Sequence, residues 1–534
     1  MSLRRRPAAL LPKTARLPPT ARLPLTGHRK PQYARAVQQA AELPGLRALI
    51  RERAADDGDR AYLEDARSDR VLTAAGLDQA VSAWASTFDA IGVPASGAVL
   101  VDLGDPLSFA VVHLAAVASG RRAVPVDTGQ PVGEPARLAG LIGGAALVVT
   151  DRAEDSTVPG VPSSRIDPVT FLPTSVRDGD VPTVVLEGPG EGSVVLFTSG
   201  STGTPKGVEL PETQLLYVAR AVAAHNGLTP DDRGFNSLPL FHVNAEVVGL
   251  LATLVSGATL VLDARFRRTG FWDLLAERRI TWLNAVPAIL AVLAKTGPLR
   301  FPPELRFVWS ASAPLPDPVR AALGDVPLVV SWGMTEGASQ ITATPLDAPP
   351  RPGSVGVPVG SEVQVRGDDG AVLAAGEVGA LWVRGPGIVR RYLGGRAAER
   401  FDADGWLSTG DVGSVSADGW VALAGRSDDV INRGGEKVYP SEVEDVLLGD
   451  DRVLEVVVVG RPHDVLGAVP VAYVIPQPDA AVDEHRLVAD LTARAEAQLT
   501  RFRRPVEITV VPDLPRAPTG KIRRADVRSM ARPS

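Results

Sequence analysis

Only six of the 56 basic residues are lysine: Lys13, Lys30, Lys206, Lys295, Lys437 and Lys521. The rest are arginine, so each lysine invites a chemical reason. Three neighbour glycines, in Gly203-Thr204-Pro205-Lys206-Gly207, Gly434-Gly435-Glu436-Lys437 and Gly520-Lys521. A lysine ammonium is a compact charge with three donors on a flexible stem. It suits phosphate oxygens that move, whereas arginine suits fixed bidentate pairs. The richest of these segments is Thr198-Ser199-Gly200-Ser201-Thr202-Gly203-Thr204-Pro205-Lys206-Gly207. Its glycines allow unusual torsions and close approach, while its hydroxyls and backbone amides can hold phosphate oxygens. It is not a Walker A loop, which needs Gly-Lys adjacent and followed by Ser or Thr. A P-loop kinase is therefore excluded on spacing. There is no cysteine, so any thiol chemistry must use an external thiol. The six histidines lack the short spacings of zinc sites, and a structural zinc is not expected.

The elements that must position these residues follow from hydrophobic periodicity. Between about 95 and 345, strand-length apolar runs such as Ala98–Leu103, Ala123–Val126 and Ala146–Thr150 alternate with helical patterns. This predicts βαβ units and parallel sheets. Leu215, Val218, Ala219 and Val222 recur at helical spacing with Arg220 opposite, predicting an amphipathic helix. The glycine-rich loop is expected to lie between the strand Val194–Phe197 and that helix. Residues 353–425, with Gly-Asp-Asp-Gly and Ala-Asp-Gly turns, predict a β-rich subdomain. Beyond it, a helix starting at Pro440, strands near 455–460 and 469–475, a helix near 483–500 and a strand near 506–511 predict a small α+β domain, 426–534. The N-terminal domain would then span 36–425, behind a basic, proline-rich tail at 1–35 with nine Arg or Lys and no acid. The longest nearly apolar stretch, Val247–Leu262, is shorter than the ~20 residues of a membrane span. At 534 residues with net charge −6, a large core is affordable and a basic nucleic-acid binder is not indicated.

Four further segments accompany the loop: Pro239-Leu240-Phe241-His242, Ser331-Trp332-Gly333-Met334-Thr335-Glu336, Ser408-Thr409-Gly410-Asp411 and Gly425-Arg426-Ser427-Asp428-Asp429. The sixth is Pro515-Arg516-Ala517-Pro518-Thr519-Gly520-Lys521. In this order they resemble the adenylate-forming superfamily of acyl-CoA synthetases, firefly luciferase and peptide-synthetase adenylation domains. The resemblance implies an α/β fold with a large N-terminal domain of parallel-sheet layers, a β-rich subdomain, and a small mobile α+β C-terminal domain.

It also implies roles. Thr198, Ser199, Gly200, Ser201, Thr202, Gly203 and Lys206 would hold the β- and γ-phosphates of ATP. Thr335 would contact the α-phosphate and Glu336 would bind Mg²⁺, a hard cation that wants oxygen ligands. Trp332 and Gly333 would lie against adenine opposite Ser312 and Ala313; the family usually has Tyr where Trp332 stands. Asp411 would accept from the ribose hydroxyls, with Arg426 beside it. Lys521 would bridge the carboxylate and the α-phosphate, then withdraw as the C-terminal domain turns about Asp428 and brings Gly434 and Gly435 to a thiol tunnel. His242 is read either as a gate beside the acyl carboxylate or as a residue that satisfies a strand-end hydrogen bond. Arg503 and Arg504 either meet a phosphate of coenzyme A or form a solvated pair. Trp309, Asn244 and Gln340 either line the acyl pocket or pack.

The reading is a cytoplasmic, ATP- and Mg²⁺-dependent, AMP-forming acyl-CoA synthetase. It activates a carboxylic acid as acyl-AMP and passes the acyl group to coenzyme A. The alternative is an acyl-AMP ligase that loads a phosphopantetheinyl carrier protein in trans. The acyl group itself is not encoded in any motif.

Overall fold

The computed structural model describes residues 42–152, 158–177, 190–198, 205–295, 299–349, 351, 353–477, 483–516 and 522–531. Two large sheets organise the first 350 residues. In one, six parallel strands run Ala61–Asp65, Thr259–Leu262, Arg233–Asn236, Trp282–Asn284, Phe307–Ser310 and Leu328–Trp332, with antiparallel strands closing both edges. In the other, Ser163–Ile166, Leu147–Thr150, Ala98–Asp102, Arg122–Pro125 and Ser193–Thr198 are parallel. Central strands are buried on both faces, so they read as continuous apolar runs: Ala98–Asp102 and Leu147–Thr150 have no exposed residue. The helices that cover them include Pro106–Ala118, which is buried on every side.

The amphipathic helix appears as Glu212–His225, with Leu215, Val218, Ala219 and Val222 all buried. The loop before it is placed differently from the sequence expectation. A strand, Lys206–Pro211, intervenes and pairs antiparallel with Ser193–Thr198, so Thr198 faces Lys206 across the mouth of a hairpin. The short alternating run Gly207-Val208-Glu209-Leu210 carries that strand: Val208 and Leu210 face the core.

The apolar stretch Val247–Leu262 also divides. It forms most of a π-helix, Ala245–Leu251, then a helix Ala252–Ser256 and the strand Thr259–Leu262. The wide π turn carries Glu246 inward, where it meets the buried His113 at 2.9 Å.

Residues 362–426 form a four-stranded antiparallel sheet, Glu362–Arg366, Gly379–Arg384, Leu407–Val415 and Val421–Arg426. After a 3₁₀ turn at Ser427–Asp429, a further sheet pairs the long strands Val453–His463 and Gly467–Pro476, packed by helices Pro440–Leu448 and Glu484–Gln498. Its apolar clusters draw only on residues from 431 onward, and the clusters of the larger part stop at 423. Among the described residues, no helix is long and apolar enough to cross a membrane.

Candidate active site

Polar side chains gather where strands of the larger parallel sheet end. In open α/β sheets the carboxyl ends of strands, facing a crevice, are the usual ligand-binding edge. Leu328–Trp332 ends in Trp332 and is followed by a 3₁₀ turn, Thr335–Gly337. Between them the chain passes under Ser339: a Cβ on Gly333 would stand 1.3 Å from the Ser339 oxygen, so only glycine fits. Ala338 and Ser339 take left-handed backbone (φ 48° and 86°), as does Ser312 (φ 78°) in the loop after the neighbouring strand. Non-glycine residues in this region carry strain and concentrate at functional sites.

Glu336 is buried and stands at the centre of a network. The Tyr392 hydroxyl donates to its Oε1 at 2.6 Å, and the Arg400 guanidinium donates to the same oxygen at 3.1 Å. Arg400 also bonds the Tyr392 oxygen and the Ser408 carbonyl. The backbone is fixed as well: Val389 N–H donates to the Glu336 carbonyl at 2.8 Å, and the buried Gln214 amide spans the carbonyls of Glu336 and Gly387. Burial, then the negative charge of Glu336, raises the Tyr392 pKa above its ordinary value, so Tyr392 stays a hydrogen-bond donor. The Lys206 ammonium lies over the Tyr392 ring, 5.8 Å from its centre.

The same network reaches Asp411. Arg400 is tied to Ser408 in the strand Leu407–Val415, which also carries Thr409, Gly410 and Asp411. Gly410 has φ 75°, and Asp411 is turned so that Oδ1 accepts from Arg426 at 2.8 Å and Oδ2 accepts from the Trp332 indole N–H at 2.9 Å. Thus Lys206, Glu336, Trp332, Asp411 and Arg426, five of the sequence-selected residues, are joined through two that sequence reasoning missed, Tyr392 and Arg400. Tyr392 lies in Arg390-Arg391-Tyr392-Leu393-Gly394-Gly395-Arg396, whose paired arginines and glycines are a signal that could have found it; Arg400, in Ala397-Ala398-Glu399-Arg400, has no such neighbours.

Other selected residues lie as follows. Thr335 begins the 3₁₀ turn. Ser312 and Ala313 are exposed. The sequence places Pro239-Leu240-Phe241-His242 at a strand end, but the strand stops at Asn236, and His242 belongs to a turn whose N–H bonds the Pro239 carbonyl. Surrounding protein lowers the His242 pKa, with Asp127 opposing, which favours a neutral imidazole. Trp309 donates to Gln340 at 3.1 Å and Asn244 accepts from Asn284 at 3.0 Å, all buried, so their visible role is packing. Asp428 lies in the 3₁₀ turn after Arg426, and Gly434 and Gly435 form the turn between Ile431–Arg433 and Glu436–Val438 with φ 61° and 93°. Lys437 pairs with Asp368 of the four-stranded sheet's first hairpin at 2.9 Å. Arg503 pairs with Glu442, and Arg504 bonds main-chain carbonyls. Ser199, Gly200, Ser201, Thr202, Gly203 and Lys521 lie outside the described residues.

The family model "AMP-binding enzyme" matches residues 50–393, and its C-terminal-domain counterpart matches 442–521. The chain belongs to the AMP-binding enzyme family. It is an acid–thiol ligase on the acyl-CoA synthetase branch of the adenylate-forming superfamily. This AMP-binding enzyme is 33% identical over 510 residues to a sulfoacetate–CoA ligase of Cupriavidus necator, covering 90% of this chain and 96% of that one. It is 34% identical over 379 residues to an oxalate–CoA ligase of Arabidopsis thaliana, covering 68% of this chain and 73% of that one. Among solved structures, an o-succinylbenzoate CoA synthetase of Bacillus subtilis in complex with its acyl-adenylate is 26% identical. It covers 90% of this chain and 97% of that one, with a TM-score of 0.77.

Proposed function

We propose that this AMP-binding enzyme activates a carboxylic acid with ATP as acyl-AMP, releasing pyrophosphate, and then transfers the acyl group to coenzyme A. The observation that carries the reading is the pair of contact groups that one strand joins: Lys206, Tyr392, Glu336 and Arg400, which ends on the Ser408 carbonyl, and, three residues further along that strand, Asp411 with Trp332 and Arg426. Together they span, in order, a phosphate-type cation, a carboxylate for a metal, and a carboxylate for a ribose, which is the order of groups along a nucleoside triphosphate. The named relatives, which are CoA ligases for sulfoacetate and oxalate, support coenzyme A as the acceptor. Both relatives take short acids that bear a second acidic group, and acids of that kind head the substrate candidates.

Carboxylate attack on the α-phosphate brings two anions together, so cations and donors must offset the repulsion. Lys206 and the hairpin mouth would hold the departing phosphates, and Thr335 the α-phosphate. Glu336 fits Mg²⁺ binding: it is one buried, oriented carboxylate, and Mg²⁺ at phosphate sites takes one or two carboxylates plus phosphate oxygens and water. When bound, the ion would supply charge neutralisation at the phosphates. Lys521 would neutralise charge between carboxylate and α-phosphate, then leave as the C-terminal domain rotates about Asp428. The Gly434-Gly435 turn would then line the thiol's route, its missing side chains leaving room for the pantetheine arm. His242, neutral, would stand beside the acyl carboxylate. A cytoplasmic location would suit an enzyme that consumes ATP and coenzyme A.

Separate half-reactions test this. Pyrophosphate exchange over a panel of acids, including short dicarboxylates and sulfonates, aromatic acids and fatty acids, should identify the acid. Lys521→Ala should suppress that exchange far more than thioester formation from preformed acyl-AMP. Equal loss of both steps would refute the two-pose scheme, and thioester formed only on a phosphopantetheinyl carrier would overturn coenzyme A as acceptor.

A further inference from the structure

We infer that Trp332 positions the Asp411 carboxylate through its indole N–H and thereby sets how strongly the enzyme selects a nucleotide with an intact ribose diol. The inference rests on the reading above that Asp411 accepts from the ribose hydroxyls.

Trp332 is 6% exposed and Asp411 9%. Each carboxylate oxygen has its own donor: indole Nε1 on Oδ2 at 2.9 Å and the Arg426 guanidinium on Oδ1 at 2.8 Å. The two donors come from different parts of the chain, one at the end of a parallel strand and one at the end of the four-stranded sheet. Rotation of the carboxylate about its own axis therefore breaks at least one bond. The main chain beneath is also held, since Asp411 N–H donates to Thr409 Oγ1 at 3.0 Å and the Thr409 hydroxyl donates to the Leu381 carbonyl at 2.8 Å.

A carboxylate offers about four acceptor positions. With one taken on each oxygen, one remains on each, and the two fixed donors hold the carboxylate's orientation. That is the acceptor pattern a vicinal diol requires. An indole has one donor and no acceptor, so it cannot compete for the diol's hydrogens or reverse its polarity as a phenol can. The close pass of Gly333 under Ser339 sets the chain direction just after Trp332, which limits the indole's freedom. A charge-assisted bond in a nearly dry site is strong, and loss of the donor would let the carboxylate turn between Arg426 and solvent.

The test compares ATP with 2′,3′-dideoxy-ATP, which has no diol to be oriented, by pyrophosphate exchange with wild type, Trp332→Phe and Asp411→Asn. Trp332→Phe keeps an aromatic ring and removes the N–H. It should lower kcat/KM for ATP by about tenfold more than that for dideoxy-ATP, because any change in adenine contact is shared by the two nucleotides and cancels in the ratio. Parallel loss with both nucleotides, while Asp411→Asn loses ATP selectively, means that Trp332 only packs, and the inference fails although the ribose reading stands. If Asp411→Asn leaves the ratio of the two nucleotides as in wild type, the ribose reading fails and the inference with it. A measurement on the folded wild type guards against a Trp332→Phe variant that does not fold. Of the eight indole ¹⁵N–H resonances, one should move further with ATP than with dideoxy-ATP, and the same one should be displaced in Asp411→Asn. No such resonance would overturn the inference.

Discussion

Replacing Tyr392 with phenylalanine removes one hydroxyl and keeps the ring that lies beside Lys206. The hydroxyl donates at 2.6 Å to Glu336 Oε1, and the Glu336 side chain is only 6% exposed. A hydrogen bond to a charged acceptor contributes about 1.5–3 kcal/mol. Arg400 remains on the same oxygen at 3.1 Å, so the lower end applies, about 1.5 kcal/mol. That corresponds to roughly tenfold in kcat/KM for ATP, with a higher Mg²⁺ requirement, if the Glu336 orientation is used in the activated complex. Pyrophosphate exchange titrated with Mg²⁺ at fixed ATP measures both. Because the two donors share one oxygen, Tyr392→Phe and Arg400→Gln should be non-additive, with a coupling of about 1 kcal/mol. A Tyr392→Phe enzyme within twofold of wild type, or a strictly additive double variant, would refute the view that this network orients Glu336.

Two further outcomes are expected. Gly333→Ala places a Cβ 1.3 Å from the Ser339 oxygen and must push the Trp332 and Glu336 segments apart; adenylation should fall at least a hundredfold, whereas a variant with full exchange activity would contradict the fixed passage. Asp445, on the helix Pro440–Leu448, has its pKa pushed up to about 6 by burial and by the charges of Glu444, Asp317 and Glu442. Its folded-state value lies above the ordinary 3.8, so its contribution favours the described pose below pH 4 and is lost as pH rises through about 6. Asp445→Asn should therefore melt at higher temperature than wild type at pH 7.5 and converge with it near pH 4, as followed by thermal melting; a constant gap would show that this carboxylate does not titrate against its neighbours.

Much of the fold is legible in the sequence because buried parallel strands must be apolar on both faces. Runs such as Ala98–Leu103 and the helical spacing of Leu215, Val218, Ala219 and Val222 leave little choice of element. The strand Lys206–Pro211 was harder to read, since a six-residue edge strand beside a glycine-rich turn carries few alternations and blends into the helix that follows. The π turn at Ala245–Leu251 has no sequence period of its own, so an apolar stretch conceals it. At the site, Lys206, Glu336, Asp411, Trp332 and Arg426 stand out by type and by neighbouring glycines. Tyr392, despite the nearby Gly394-Gly395, and Arg400 give no hint of their partner, because their importance comes from contacts made across 56 and 64 residues of chain with Glu336. The Trp332–Asp411 bond likewise joins residues 79 apart. Such long-range pairs are set by sheet geometry, which local pattern does not report.

The seam after Arg426 bears on the two-step chemistry. Among the described residues, no apolar cluster crosses it. What does cross is polar. Ser441 donates to the Ala424 carbonyl at 2.6 Å, and the largely exposed Lys437–Asp368 pair adds little, since such pairs contribute about 0–1 kcal/mol. Asp445 and Asp317 face each other with like charge. A boundary that buries little apolar surface and sets attraction against repulsion holds one pose by a narrow margin, as interfaces between moving domains do. A tight hydrophobic seam would fix one orientation and forfeit the other half-reaction. In the scheme proposed above, small polar contacts that can be exchanged for others would let a single C-terminal domain present a lysine first and a glycine turn afterwards.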